Sequence, residues 1–134
     1  MTTVLAIVIR LVVMGAALAA YYAALPHLFP GEGDANIGAG LLAFGLVVLV
    51  SFGWGLVDGR RRGAAPAMVV WAVVAVVFGA AWLLGLALLE ADDSMSLTER
   101  LQLDAFLAVF TAGLVLVPAG VGAAIGGTSH GTDA

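Results

Sequence analysis

The chain has 134 residues, of which 63% are hydrophobic and only 10% charged, with a net charge of -4 at pH 7. A soluble domain carries about 25% charged residues, so a water-soluble fold of this composition would expose much of its Val, Leu and Ala. The absence of cysteine excludes disulfides, thiolate metal sites and cysteine nucleophiles. The five basic residues, all arginine, are too few for a phosphate-binding surface, which excludes nucleic acid as a partner. Composition therefore predicts a protein whose main partner is a lipid bilayer.

Four apolar stretches are each long enough to cross a hydrocarbon core about 30 Å thick, which takes roughly 20 residues of helix. They cover residues 4–25, 37–57, 67–89 and 103–125. The segments between them hold most of the Pro, Asp, Glu and Arg residues and are short, so successive helices are expected to be antiparallel neighbours. We predict an all-α integral membrane four-helix bundle as one domain over residues 1–126, followed by a disordered cytoplasmic tail over residues 127–134.

Helix ends can be predicted from local chemistry. Pro26 is expected to end the first helix, and Asn36 is a candidate N-cap for the second. Pro66 fits the first turn of the third helix, where an N–H has no intrahelical partner. Ser96 and Glu99 have the Ser-x-x-Glu spacing of a capping box, which predicts that the fourth helix begins in water before it enters the membrane.

The arginines predict the orientation, because cytoplasmic loops carry an excess of Lys and Arg close to the membrane spans. Residues 60–62 are three consecutive arginines in the central connection, which is therefore expected in the cytoplasm. Both termini would then be cytoplasmic, with Arg10 near the inner face and Arg100 outside. We expect a multi-pass protein of a bacterial cytoplasmic membrane; the absence of lysine and the abundance of Ala, Gly, Val and Arg are associated with GC-rich genomes such as those of actinobacteria.

Arg10 is a cation among the Ile, Val and Leu residues of the first apolar stretch, "LAIVIRLVVMG", so it is the first candidate for a functional residue. A helical side chain leans toward the N-terminus, so Arg10 is expected to snorkel to the cytoplasmic surface. On the same side, "WGLVDGR" leaves the second span and places Asp58 at its end. We predict that Arg10 and Asp58 form a bidentate pair beside the ring of Trp54. This cluster either binds substrate or gates a cytoplasmic entrance, or it only anchors the helices at the membrane interface.

Other residues give weaker indications. Pro118 removes a helix hydrogen bond inside the fourth span, and with the glycines that follow it makes either a hinge or a static kink. Ser51 and Thr111 are expected to bond their own helix backbone, and Trp71 and Trp82 to serve packing or the interface.

Pairs of small residues at i, i+4 spacing recur along the spans. In lipid such residues allow close backbone packing, either within one bundle or between copies of the chain. The pairs are Gly15 with Ala19, Ala16 with Ala20, Ala75 with Gly79, Ala81 with Gly85, and Gly122 with Gly126.

Three sequence segments, "VIRLVVMG", "WGLVDGRRRG" and "AFLAVFTAGLVLVPAGVGAAIGG", resemble the small four-helix actinobacterial membrane proteins that are classed as four-span transporters of the drug/metabolite transporter superfamily. The resemblance implies a transporter-like bundle that acts as an oligomer, with Arg10, Trp54, Asp58 and Pro118 at the matching positions. It implies no particular substrate.

Three classes of function follow from the sequence. The leading hypothesis is a small transporter-like protein that works as a homo-oligomer; its rival is an accessory or structural subunit of a larger membrane complex. An enzyme is not expected, because no nucleophile, base and orienting group can be assembled from these residues. No cofactor and no metal site are expected, since His27 lies in a polar connection with no second ligand close by. No acid lies near the middle of a span, so transport is uncoupled, is coupled through Asp58, Glu90 or Asp104 near the ends of the spans, or does not occur.

Overall fold

The computed structural model describes residues 2–30, 37–89 and 95–129. Within these ranges the chain forms four helices and no strand. The helices are α1 (Thr3–Leu28), α2 (Ile37–Arg62), α3 (Ala64–Leu89) and α4 (Leu97–Thr128). Each is long and apolar enough to cross a membrane. The prediction of an all-α fold with four candidate membrane spans is confirmed.

The outer surface of this bundle is apolar, as a bilayer requires. Phe106 is 80% exposed, Ile37 78% and Leu88 75%, and many other Val and Leu side chains lie outside the helix contacts. In water this much exposed apolar area would favour aggregation. The surface therefore fits contact with lipid rather than solvent.

The connection between α2 and α3 is shorter than predicted. Helix α2 continues through residues 60–62, so Asp58 lies inside the helix, four residues before its end. A single residue, Gly63, joins the two helices with φ of 83°, a conformation that glycine adopts without strain. Its N–H donates to the oxygen of Gly59 at 2.9 Å, and its own oxygen accepts from Ala67 N at 3.3 Å. The arginines therefore form the last turn of a helix and not a loop.

The end of α1 also differs from the prediction. Pro26 lies inside the helix, which continues to Leu28 and closes with a 2.9 Å bond from Phe29 N to Leu25 O. A proline this close to the C-terminus removes only one of the last helix hydrogen bonds, so the final turn still forms. His27 is consequently part of α1 and not of a loop.

The predicted helix starts agree better with the structure. Pro66 is in the first turn of α3, because the first N–H with a helix-type partner belongs to Ala67. The capping box is confirmed: Ser96 N donates to Glu99 Oε2 at 2.9 Å, and Glu99 N donates to Ser96 Oγ at 3.3 Å. The candidate N-cap Asn36 lies outside the described residues.

Helix α4 extends further than predicted at its C-terminal end. Gly127 and Thr128 belong to the helix, although the tail was expected to begin at residue 127. Contact with the start of α3 explains the extension, since a Cβ on Gly127 would lie only 2.7 Å from Cβ of Ala64. The remainder of the expected tail, residues 130–134, lies outside the described residues.

Helices α2 and α4 are in backbone contact. A Cβ placed on Gly55 would lie 2.8 Å from Cα of Ala119, and one on Gly59 would lie 2.8 Å from Cα of Ala123. Real Cβ atoms do not approach other atoms so closely, and the atoms they would meet are backbone atoms that cannot move aside. Both glycines are therefore required for this helix contact.

Glycines of α4 meet α2 in the same way. A Cβ on Gly122 would lie 2.8 Å from Leu56 N, and one on Gly126 would lie 2.9 Å from Arg60 N. The predicted pair Gly122 and Gly126 thus serves packing within the chain. On the other side of α4, Gly79 of α3 lies against Ala108 and Ala112, where a Cβ would meet the atoms at 3.0 and 3.1 Å.

Helix α1 packs more sparsely than the other three. It buries one narrow stripe, Ala6, Arg10 and Met14, at a spacing of four residues. Met14 joins the apolar core, whose centre is the fully buried Trp71 of α3. At the far end of α1, the hydroxyl of Tyr21 donates to the oxygen of Ala39 at 2.6 Å. Helices α2, α3 and α4 thus form a closely packed unit against which α1 lies.

Candidate functional site

Arg10 and Asp58 form an ion pair between α1 and α2, as predicted. Arg10 Nε donates to Asp58 Oδ2 at 2.9 Å, and Arg10 Nη2 donates to both carboxylate oxygens, to Oδ2 at 2.5 Å. Arg10 is 2% exposed and Asp58 3%. A bidentate pair of this kind fixes the direction as well as the distance of the guanidinium, so it sets where α1 lies on α2.

Two indole rings complete the surroundings of the pair. The ring of Trp54 lies 5.2 Å and that of Trp71 5.8 Å from the guanidinium carbon of Arg10, within the range of a cation–π interaction. The two rings also contact each other edge to face, with centroids 6.3 Å apart. The predicted place of Trp54 beside Arg10 agrees with the structure.

Trp71 has a second role that the sequence reasoning missed. Its Nε1–H donates to Asp58 Oδ2 at 2.9 Å, so one carboxylate oxygen accepts from both α1 and α3. The sequence predicts only packing or an interfacial position for Trp71. Once α2 and α3 are joined by a single residue, Asp58, five residues before Gly63, and Trp71, eight residues after it, lie within about 5 Å of the same depth, close enough for the indole to reach the carboxylate.

The guanidinium is buried within the protein, which contradicts the expectation that Arg10 snorkels. Arg10 Nη1 does point toward the N-terminus, as expected for a helical side chain, but it donates to the oxygen of Ala6 at 2.5 Å. Arg10 is the seventh residue after Thr3, about 10 Å into the helix. Asp58 and the oxygen of Ala6 accept hydrogen bonds from the guanidinium inside the protein, so contact with headgroups is not needed.

A second arginine approaches the same carboxylate from its own helix. Arg62 Nε lies 3.9 Å from Asp58 Oδ1, one turn further along α2, and its side chain is 25% exposed. This contact is longer and more open than the one with Arg10, so it is a weaker interaction. If Arg10 moved away, Arg62 is the nearest observed cation to the Asp58 carboxylate.

Pro118, the predicted hinge, has no part in the hydrogen bonds and ion pairs described for Arg10 and Asp58. It lies in α4, which is assigned as one helix from Leu97 to Thr128, and it precedes Ala119, the contact of Gly55. The hinge role of Pro118 therefore stays a prediction.

Apolar clefts flank α1 on both sides. A cleft of about 400 Å³ lies between α1 and α3, lined by Leu11, Gly15 and Leu18 and by α3 residues from Val77 to Leu86. A smaller one of about 120 Å³ lies between α1 and α2 and includes Met14 and Tyr21. Neither cleft is lined by a charged residue, and neither includes Arg10 or Asp58. In this conformation the ion pair is separate from both clefts.

Two buried polar atoms have no hydrogen-bond partner in the described residues: Ser51 Oγ and Trp82 Nε1. A serine can bond its own helix backbone, but the hydroxyl of Ser51 meets no acceptor among the described residues although the side chain is fully buried. Thr111 does bond its own helix, with 2.8 Å from its Oγ1 to Leu107 O.

Fold and site together define a helical chain with four candidate membrane spans, in which a buried ion pair joins α1 to the remaining helices. No protein-family model, curated protein or solved structure matches the chain. No cluster of three or more metal-ligating side chains occurs among the residues that the structure describes. The resemblance to four-span transporters therefore stays a prediction.

Proposed function

We propose that this protein is a small transporter-like membrane protein in which α1 moves against the unit formed by α2, α3 and α4. The observation that carries the proposal is the Arg10–Asp58 pair, more than nine-tenths buried, which links the sparsely packed helix to the closely packed ones. We call Arg10, Asp58 and Trp71 the latch. In the proposed cycle the latch holds α1 closed and releases it to admit a substrate.

The physical basis is the difference between the contacts within the unit of α2, α3 and α4 and the contact that joins α1 to this unit. Separating a backbone contact such as Gly55 with Ala119 loses the van der Waals packing of many atoms at once. In lipid this packing is what holds such helices together, because no hydrophobic effect acts between them. A single ion pair can break and re-form if another cation or water replaces the missing partner. Arg62, 3.9 Å from Asp58, is such a cation.

The orientation predicted from the arginines is part of this proposal. Contacts of Arg10 with Asp58 and of Tyr21 with Ala39 support an antiparallel arrangement of α1 and α2, because the order of the partners is reversed. With residues 60–62 in the bacterial cytoplasm, both termini and the latch are on the cytoplasmic side. The chain contains no cysteine, so single cysteines can be introduced at position 61 and labelled in intact cells. Labelling by a membrane-impermeant reagent only after permeabilisation is expected; labelling in intact cells would contradict the orientation.

Transport itself can be tested with an organic cation. An open latch would leave the Asp58 carboxylate between two indole rings, a setting that suits an aromatic cation. We expect ethidium to enter DNA-loaded proteoliposomes faster than protein-free ones, and Asp58→Asn and Arg10→Gln to abolish the difference. Arg61→Gln is the matched control, because Arg61 is exposed and should leave entry unchanged. Equal entry in the wild type, both latch variants and empty liposomes would contradict ethidium transport through the latch.

A second candidate is favoured by the lipid side of α1. Gly15, Ala16, Ala19 and Ala20 are exposed, and a Cβ on Gly15 would meet no atom within 4 Å. Such a face can accept a helix of a second copy, giving the proposed homo-oligomer, or a helix of a larger complex to which this chain is an accessory subunit. Purification in mild detergent separates the two: a reproducible larger partner would support the accessory role, and a homo-oligomer alone would contradict it.

A further inference from the structure

We infer that the cleft between α1 and α3 is a binding site for a small, neutral, lipophilic molecule that carries a carbonyl oxygen. The inference goes beyond the proposed function, on which it rests for the movement of α1, by adding a second site and naming the chemistry of its ligand. Two independent observations carry it: the volume and apolar lining of the cleft, and the unpaired hydrogen-bond donor of Trp82, a residue that lines it.

Two glycines in the lining of the cleft, one on each helix, leave open space beside the backbone. Gly15 of α1 and Gly85 of α3 both line the cleft, and a Cβ on either would meet no atom within 4 Å. The glycines of the tight contacts, such as Gly55, have no such space. With a volume of about 400 Å³, the cleft is within the range of small-molecule sites.

The donor is the indole N–H of Trp82. Trp82 lines the cleft, and its Nε1 is buried with no acceptor among the described residues. A donor left unpaired in an apolar environment costs free energy that a ligand oxygen can recover. Because the cleft walls are apolar, the rest of the ligand must be apolar as well. A neutral carbonyl compound meets both requirements.

The depth of Trp82 argues against an ordinary phospholipid as the occupant. Trp82 is between five and six residues from the middle of α3, about 8 Å along its axis. With α3 centred in a hydrocarbon core whose half-thickness is about 15 Å, the indole lies well below the level of lipid ester groups. Acyl chains at this depth have no oxygen to offer. A separate lipophilic molecule with its own carbonyl does.

Access to the donor depends on α1. Leu18 of α1 lines the cleft and also lies with Trp82 along a second, smaller pocket of about 20 Å³ that reaches Thr111. Nε1 of Trp82 is buried in the observed conformation. Movement of α1 after release of the latch would uncover it, so Arg10→Gln is expected to increase ligand binding.

Photolabelling of the full chain in phosphatidylcholine nanodiscs tests this inference, with benzophenone as both ligand and photoprobe. Adducts located by mass spectrometry are expected to concentrate on Leu11, Leu18 and Leu86. Gly15→Leu should remove them by filling the cleft. Gly45→Leu is the matched control, since Gly45 also has open space around it but lines none of the described clefts.

Fluorenone and fluorene, which differ by one carbonyl, test the role of Trp82. One neutral hydrogen bond corresponds to about a fivefold change in affinity. Measured by competition with benzophenone, the ratio of fluorenone affinity to fluorene affinity should therefore be about fivefold higher in the wild type than in Trp82→Phe. This comparison cancels their different partitioning into lipid. An unchanged ratio in Trp82→Phe, or adducts spread over all lipid-facing helices and insensitive to Gly15→Leu, would overturn the inference.

Failure of this inference and failure of the proposed function give different results. If labelling is absent while ethidium entry still depends on Asp58, the cleft is not the ligand site but the latch stands. If labelling requires Trp82 while neither ethidium entry nor the effect of Arg10→Gln is observed, the binding site stands without transport through the latch.

Discussion

The contact between α2 and α4 and the contact between α1 and α2 depend on different interactions. Helix α4 meets α2 by direct backbone contact, with Gly55 and Gly59 against Ala119 and Ala123. Helix α1 meets α2 through the buried ion pair and the Tyr21–Ala39 hydrogen bond, and it has apolar clefts on either side. In a bilayer the first kind of contact gains many small dispersion interactions, while the second gains a few directional bonds, of which the ion pair is the strongest. A contact that depends mainly on one ion pair can open when that pair breaks, whereas a continuous backbone contact cannot.

Breaking the ion pair should have the largest effect on stability. Arg10→Leu or Asp58→Leu alone leaves a buried charge without its partner, which lowers the free energy of unfolding by about 3–5 kcal/mol. The double variant Arg10→Leu/Asp58→Leu removes both charges and should lose much less. Unfolding in mixed detergent micelles measures all three. If the stability loss of the double variant equals the sum of the two single losses within about 0.5 kcal/mol, the two side chains are not directly coupled.

The glycine contact should be next in sensitivity. Gly59→Leu forces a side chain into the backbone of Ala123, so we expect a loss of up to about 3 kcal/mol in the same unfolding measurement. Gly53→Leu is the control on the same helix, because a Cβ there meets nothing within 4 Å. Equal effects of the two substitutions would mean that α2 and α4 do not touch at Gly59.

Trp71 connects the two regions, since it lies in the core of α2, α3 and α4 and also donates to the latch carboxylate. Trp71→Phe removes one hydrogen bond to a charged group, worth about 1.5–3 kcal/mol. Trp82→Phe makes the same substitution where Nε1 has no acceptor, so it should cost less. A larger loss for Trp82→Phe would show that Nε1 of Trp71 contributes little.

The smallest effect is expected at Tyr21, the second polar contact between α1 and α2. Tyr21→Phe removes the 2.6 Å bond to Ala39 O, and hydrogen bonds between membrane helices average about 0.6 kcal/mol. Tyr22→Phe is the control, as Tyr22 is 48% exposed. If Tyr21→Phe lowered the free energy of unfolding more than Arg10→Leu, the Tyr21 hydrogen bond and not the ion pair would be the stronger contact of α1.

The sequence predicted the parts of this structure that depend on local chemistry. Span length and apolar composition were sufficient for the helices, and the spacing of Ser96 and Glu99 for the capping box. The pairing of Arg10 with Asp58 was predictable because a charge inside an apolar span needs a nearby opposite charge, and Asp58 was the available acid on the expected side.

What the sequence could not supply is which helices touch. Small residues at i, i+4 spacing occur on every span, so periodicity alone could not select Gly55 and Gly59 as the contact of α4, nor leave Gly15 open. The extension of α2 beyond Asp58 was missed because three consecutive arginines indicate a loop in a membrane protein. Arginine is nevertheless a good helix former, so a helix can continue through it after leaving the membrane. Trp71 was missed for the same reason, since its place opposite Asp58 depends on the single-residue connection at Gly63.

Movement of α1 against the other helices can be measured by pulsed electron paramagnetic resonance in the cysteine-free chain. Spin labels at the exposed positions 12 and 76 report the α1–α3 distance, and labels at 49 and 117 report the α2–α4 distance. We expect Arg10→Gln to broaden or shift the first distribution and to leave the second unchanged, with Arg61→Gln changing neither. A single, narrow α1–α3 distance that is the same with and without Arg10 would contradict the latch.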